Sequence, residues 1–107
     1  MKDSVSFVER GNTLVARLAC ELDHHRAAPI REMIDKKLLE LRPKVLELDF
    51  CEVNFMDSSG LGLIIGRAEV CRDMNADVHV VGLNPTLSKL MRISGIEKIS
   101  NVVIGRT

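Results

Sequence analysis

The stretch KVLELDFCEVNFMDSSGLGLIIGRA (residues 44–68) changes its hydrophobic period halfway along. In its first part Leu46, Leu48 and Phe50 alternate with Val45, Glu47 and Asp49, the two-residue repeat of a strand with one apolar face. In its last part Leu61, Ile64, Ile65, Ala68 and, just beyond, Cys71 recur at helical spacing. Between the two, Asp57 and Ser58 each carry a side-chain oxygen able to satisfy an orphan N–H of a helix's first turn. A strand feeding a capped helix is half of a strand–helix–strand unit, so the flanking chain should supply more of the same.

It does. Upstream, VSFVER (5–10) and TLVARLACEL (13–22) flank Gly11-Asn12, a two-residue turn of hairpin type. Leu14, Ala16, Leu18, Cys20 and Leu22 alternate there with Val15, Arg17, Ala19 and Glu21. Downstream, DVHVVGL (77–83) is a further apolar run, with His79 on the face opposite Val78 and Val80. Ala27, Ile30, Ile34, Leu38 and Leu41 form the stripe of a helix in which Pro29 suits only a first turn, so that helix should start late or bend. Pro85 opens another helix carrying Leu87, Leu90 and Met91, closed by Gly95. The order is strand, strand, helix, strand, helix, strand, helix. Right-handed crossovers place successive helices on one side of the sheet, and Arg17, Glu21, Glu47 and Asp49 mark the other side as wet. The expectation is one α/β domain over residues 1–107, a mostly parallel mixed sheet with helices packed on one face.

Composition narrows the function. Of 107 residues 46% are apolar and 28% charged, as in an ordinary globular chain. Lys plus Arg equals Asp plus Glu at 15 each, so no net field attracts nucleic acid or an anionic membrane. The aromatic residues are three phenylalanines, too few for a base-stacking platform. No apolar run approaches the ~20 residues of a membrane helix, and MKDSVSFVERGN lacks the apolar region of a signal peptide. Cys20, Cys51 and Cys71 are odd in number and far apart, which suits reduced thiols in a cytoplasm and not a disulfide framework or zinc site.

The segment FMDSSGLGLIIG (55–66) invites three chemical readings. A dinucleotide fingerprint needs G-x-G-x-x-G, but Ile65 stands where the third glycine belongs and Gly66 comes one residue late. A hydrolase elbow needs G-x-S-x-G, and no glycine lies two residues before Ser58 or Ser59. The adjacent His24 and His25 lack the i, i+4 spacing of helical metal ligands, and His79 stands alone; no catalytic residue, metal ligand or cofactor is expected. A plain helix cap explains Asp57 and Ser58 but not Gly60, Gly62 and Gly66, each of which costs about 1 kcal/mol of helix propensity relative to Ala. Together they should bare an exposed face, flanked by Leu63 and Val70, which another protein can approach closely. A serine displayed at that helix start suits modification, since free N–H groups and the helix dipole tolerate a phosphate.

CELDHHRA (20–27) and NFMDSSGLGLIIGR (54–67) together resemble the STAS domain, and within it the bacterial anti-sigma factor antagonists of sporulation type. The resemblance covers essentially the whole chain. It implies a phosphorylation switch without enzymatic activity: the unmodified protein binds an anti-sigma factor serine kinase and frees the sigma factor, phosphorylation inactivates it, and a serine phosphatase resets it. By the same resemblance Ser58 is the phosphorylated residue, and Asp23 lies beside it in contact with partner or nucleotide. His24, Asp57, Ser59, Gly60, Leu61, Gly62 and Leu63 complete the implied partner surface. The alternative is a nucleotide-binding STAS module with weak or no NTPase activity, using Asp23 and the glycine-rich helix start. Both motifs should fall at carboxyl ends of parallel strands, side by side at one edge of the sheet. Many relatives continue into a final amphipathic helix where this sequence ends at VVIGRT, so that helix is expected to be absent or truncated.

Overall fold

A computed structural model describes residues 4–105. The hairpin is β1 (Val5–Arg10) and β2 (Thr13–Leu18), joined by Gly11 at φ 58°. A positive φ at the first loop residue alone is the pattern of a type II′ turn, whose twist matches the strands it joins. Then follow α1 (His24–Leu41), β3 (Val45–Asp49), α2 (Ser58–Asp73), β4 (Asp77–Val81), α3 (Pro85–Ser94), a 3₁₀ turn (Ile96–Lys98) and β5 (Val102–Ile104). The sheet order is β1-β2-β3-β4-β5, antiparallel between β1 and β2 and parallel thereafter. Each crossover helix therefore returns the chain to the next position in the same direction, and the expected mixed, mostly parallel sheet is present.

One face of the sheet is sealed. Leu14, Ala16, Leu18, Leu46, Leu48, Val78 and Val80 pack in one core with Ile30, Ile34 and Leu38 of α1, Ile64, Ala68 and Cys71 of α2, and Leu87 and Met91 of α3. The other face carries Arg17 and Glu47, paired with Asp49 and Arg10 at 3.2 Å each. Asp49 corrects the expectation of a wholly wet face: it is 8% exposed, lying at the end of β3 beneath Arg17.

Three further expectations change. Strand β5 adds a fifth strand to the four expected; its three residues are too short to show a period, and it is held by its parallel pairing with β4. Helix α1 neither starts late nor is interrupted: it runs from His24 through Pro29, whose missing N–H would have met the His25 carbonyl near the helix start, so a single bond is lost. The buried arc of α2 is Gly60, Leu63, Ile64, Arg67, Ala68 and Cys71, whereas Ile65 is 42% exposed. Leu63, expected to flank an exposed surface, is 4% exposed, because α2 packs against α1 as well as β4 and its covered arc turns toward α1.

Candidate functional site

Leu22 and Met56 form an isolated parallel bridge, in which the Leu22 N–H donates to the Phe55 carbonyl and the Asp57 N–H to the Leu22 carbonyl, both at 3.1 Å. This tie holds the two distant motifs side by side, as expected. Since β2 and β3 are second and third of five strands, the site lies at the carboxyl end of the sheet and not at its edge. Immediately past the bridge, each chain turns into a helix through an aspartate cap.

The two caps differ. Asp23 receives the Arg26 N–H at 2.9 Å on one oxygen and the Arg26 guanidinium at 2.8 Å on the other. The Arg26 N–H is the main reason its carboxyl titrates below the usual range; desolvation opposes that shift, and the nearby Arg26 charge adds to it. Asp57 accepts the Ser59 N–H at 2.7 Å through its side chain, and its carbonyl accepts the Gly60 N–H at 3.0 Å. Two donors of the first turn of α2 are thereby occupied, so fewer free N–H groups face an anion there than the sequence suggested. Ser58 is the first helical residue and is exposed. Ser59 is half-buried and faces the other helix.

Between the helices lies an open groove of about 270 Å³, lined by His24, Ala27, Ala28 and Arg31 of α1 and by Ser59, Gly62 and Leu63 of α2. Gly62 and Gly66 have nothing within 4 Å of where a Cβ would stand, so they form the smooth surface inferred from sequence. Gly60 does not belong to it: it is buried, and a Cβ there would lie 2.7 Å from the Met56 sulfur. Leu61 is half-buried against the core. Of the residues assigned by sequence, Asp23, His24, Asp57, Ser58, Ser59 and Gly62 are thus gathered at the helix mouths with accessible surface, while Gly60 and Leu63 form the floor beneath them.

Sequence reasoning missed two features. On the far side of Ser58, Phe55 and Met56 meet Leu87, Leu90 and Ile93 of α3 around a second groove of about 290 Å³, with Phe55 52% and Ile93 74% exposed. The available signal was an apolar residue two places before the Asp57 cap and another off the buried stripe of α3. The second feature is Arg67, 5% exposed, with its Nε 2.8 Å from Asp35 Oδ1 of α1. Burial lowers its pKa, opposed by the Asp35 carboxylate. No helix of the described residues is long and apolar enough to cross a membrane.

A five-stranded mixed sheet with three helices on one face and a doubly capped helix pair at its carboxyl end defines the class: the chain belongs to the STAS domain family, whose model matches residues 4–104. Among curated relatives, the anti-sigma F factor antagonist of Paenibacillus polymyxa is 35% identical over 86 residues, 80% of this chain and 74% of that protein. Among solved structures, the anti-sigma factor antagonist SpoIIAA in its unphosphorylated form aligns with TM-score 0.79 at 27% identity, covering 94% of this chain and 87% of that one. The Bacillus cell fate determinant SpoIIAA in its phosphorylated form aligns with TM-score 0.71 at 27% identity over 94% of this chain and 90% of that one.

Proposed function

We propose that this protein is an anti-sigma factor antagonist switched off by phosphorylation of Ser58. Unmodified, it binds an anti-sigma factor serine kinase and releases the sigma factor; phosphorylated, it lets the kinase go, and a serine phosphatase restores it. The protein is a substrate and binding partner in the cytoplasm and not an enzyme; the kinase brings ATP. One observation carries the reading: Ser58 is the exposed first residue of α2, one turn before the open Gly62, at a helix start that the Leu22–Met56 bridge ties to that of α1.

The geometry also suggests how the switch works. Ser59 and Gly60 already give their N–H groups to Asp57, so a phosphate on Ser58 gains little from the helix and projects into water next to a carboxylate. The fold need not change; SpoIIAA keeps this same architecture in both of its phosphorylation states. A partner closing over Gly62 must instead strip water from a dianion beside Asp57. Burying a poorly paired charge costs about 2 kcal/mol or more, at least a thirtyfold loss of affinity.

The test is incubation with a cognate anti-sigma kinase and ATP, mass mapping of the product, and calorimetry of the phosphorylated, wild-type, Ser58→Asp and Ser58→Ala forms. Ser58→Ala should take no phosphate and bind as wild type, Ser58→Asp should lose part of the affinity, and Ser59→Ala should still be phosphorylated, more slowly. Stoichiometric phosphate on Ser58→Ala, or equal affinity of the modified and unmodified proteins, overturns the proposal. Micromolar binding of ATP or GTP to the isolated protein would favour the nucleotide-binding alternative.

A further inference from the structure

Strand β1 is the outer strand of the sheet and is six residues long, whereas the opposite edge, β5, has three. The Ala19 N–H donates to the Ser4 carbonyl at 2.8 Å, and from there the register runs Val5 opposite Leu18, Ser6 opposite Arg17 and Phe7 opposite Ala16. Hydrogen-bonded and non-bonded pairs alternate along an antiparallel ladder, so Ser6, Val8 and Arg10 turn their backbone groups toward β2. Val5, Phe7 and Glu9 then turn theirs outward, a row of donors and acceptors without a protein partner among the described residues. The strand has no proline to blunt that row, and Arg10 is engaged with Glu47. Val8 is 55% exposed.

Helix α1 borders this edge. Phe7, Met33, Lys36, Lys37 and Glu40 line a depression of about 300 Å³, and the Lys37 ammonium stands 5.8 Å from the Phe7 ring centroid. Among the described residues neither Lys37 nor Glu9 has an ion-pair partner. We infer that β1 pairs antiparallel with β1 of a second copy of this chain, about a two-fold axis through Val8, continuing the sheet across both.

Charge selects that register. With Val8 opposite Val8, Phe7 faces Glu9 of the second copy, and both are residues whose backbone groups point outward and can exchange hydrogen bonds. The incoming Glu9 carboxylate then arrives beside the Phe7 ring, where Lys37 already stands, and symmetry makes the pair twice. The two exposed Val8 side chains cover each other on the open face. Centring the axis on Phe7 would instead bring two Lys37 ammonium groups together. A one-residue slip would send each strand's side chains to the wrong face. A contact of one strand pair and a helix edge is at the small end of interfaces, so dissociation should fall in the micromolar-to-millimolar range. None of its residues belongs to the Ser58 site, so this dimer and the phosphorylation switch stand or fall separately.

Sedimentation equilibrium of the full chain tests the inference. A reversible dimer is expected, weakened about tenfold or more by Glu9→Lys or Lys37→Glu alone, with the double reversal returning most of the affinity. Glu9→Pro, which removes an outward N–H and no bond to β2, should leave a folded monomer by circular dichroism. A protein monomeric to millimolar concentration overturns the proposal. So does a dimer that survives Glu9→Pro, or one that the two single reversals leave unchanged.

Discussion

Gly60 and Gly62 stand two residues apart in the first turns of α2, and for opposite reasons. Gly60 faces inward, where Met56 occupies the space a side chain would need. Gly62 faces the groove toward α1, where nothing comes within 4 Å of a Cβ position. One is demanded by packing on the bridge strand, so the fold explains it completely. The other costs helix propensity with no return inside the chain, and that unexplained cost points to a partner. A glycine-rich helix start is thus two signals superposed, and only the contacts separate them.

The contrast between inward and outward faces of α2 can be broken most sharply with its adjacent isoleucines. Ile64 is fully buried and Ile65 is 42% exposed. Ile64→Ala should cost about 2–5 kcal/mol in denaturant melts, and Leu48→Ala in β3 the same, while Ile65→Ala should stay within about 0.5 kcal/mol. Similar losses for Ile64 and Ile65 would mean that both sides of the helix are covered.

The glycines themselves give a smaller difference of opposite sign. Ala at position 60 must displace Met56, an overpacking that typically costs about 1–3 kcal/mol, offset by about 1 kcal/mol of helix propensity. Gly62→Ala meets no neighbour and should stabilise by up to about 1 kcal/mol, raising the melting temperature while lowering affinity for the proposed kinase partner. If Gly62→Ala binds as wild type, the open glycine is not a contact surface.

Why sequence could read only part of this follows from the same residues. Strand–helix order was legible because Leu46–Phe50 and Ile30–Leu38 each show one period over several repeats. The phase of α2 was not: Leu63, Ile64 and Ile65 are consecutive, so the pattern fits several rotations equally well. Arg67 escaped because a charged residue reads as solvated until Asp35, from another helix, is seen beside it. The Leu22–Met56 bridge joins segments over thirty residues apart, and no local pattern announces it. The candidate site was found through motif resemblance, but which of its residues are surface and which are floor needed the packing.

The open face of the sheet offers the gentlest perturbation, set against the sealed face that holds Leu48. Asp49 accepts the Cys51 N–H at 2.9 Å and the Arg17 Nε–H at 3.2 Å. Gly82, at φ 77°, closes over it so tightly that a Cβ would lie 2.7 Å from Asp49 Oδ1. Desolvation alone would raise the carboxyl's pKa, but the Cys51 backbone and thiol and the Arg17 guanidinium outweigh it and hold the pKa below the usual carboxylate range. A carboxylate titrating lower in the folded than in the unfolded chain contributes stability above the unfolded value. That contribution is lost as pH falls through the folded value. A pair this open to solvent on the Arg17 side is screened and contributes little, the smallest effect considered. Asp49→Asn keeps an acceptor for the Cys51 N–H but cannot titrate. Its unfolding midpoint should therefore lie slightly below wild type at neutral pH, with the gap narrowing as the pH drops below about 4. Denaturant melts across that window measure it. A gap that stays constant or widens in acid would show that Asp49 acts there by shape and hydrogen bonding alone, and that its charge pair with Arg17 adds nothing to stability.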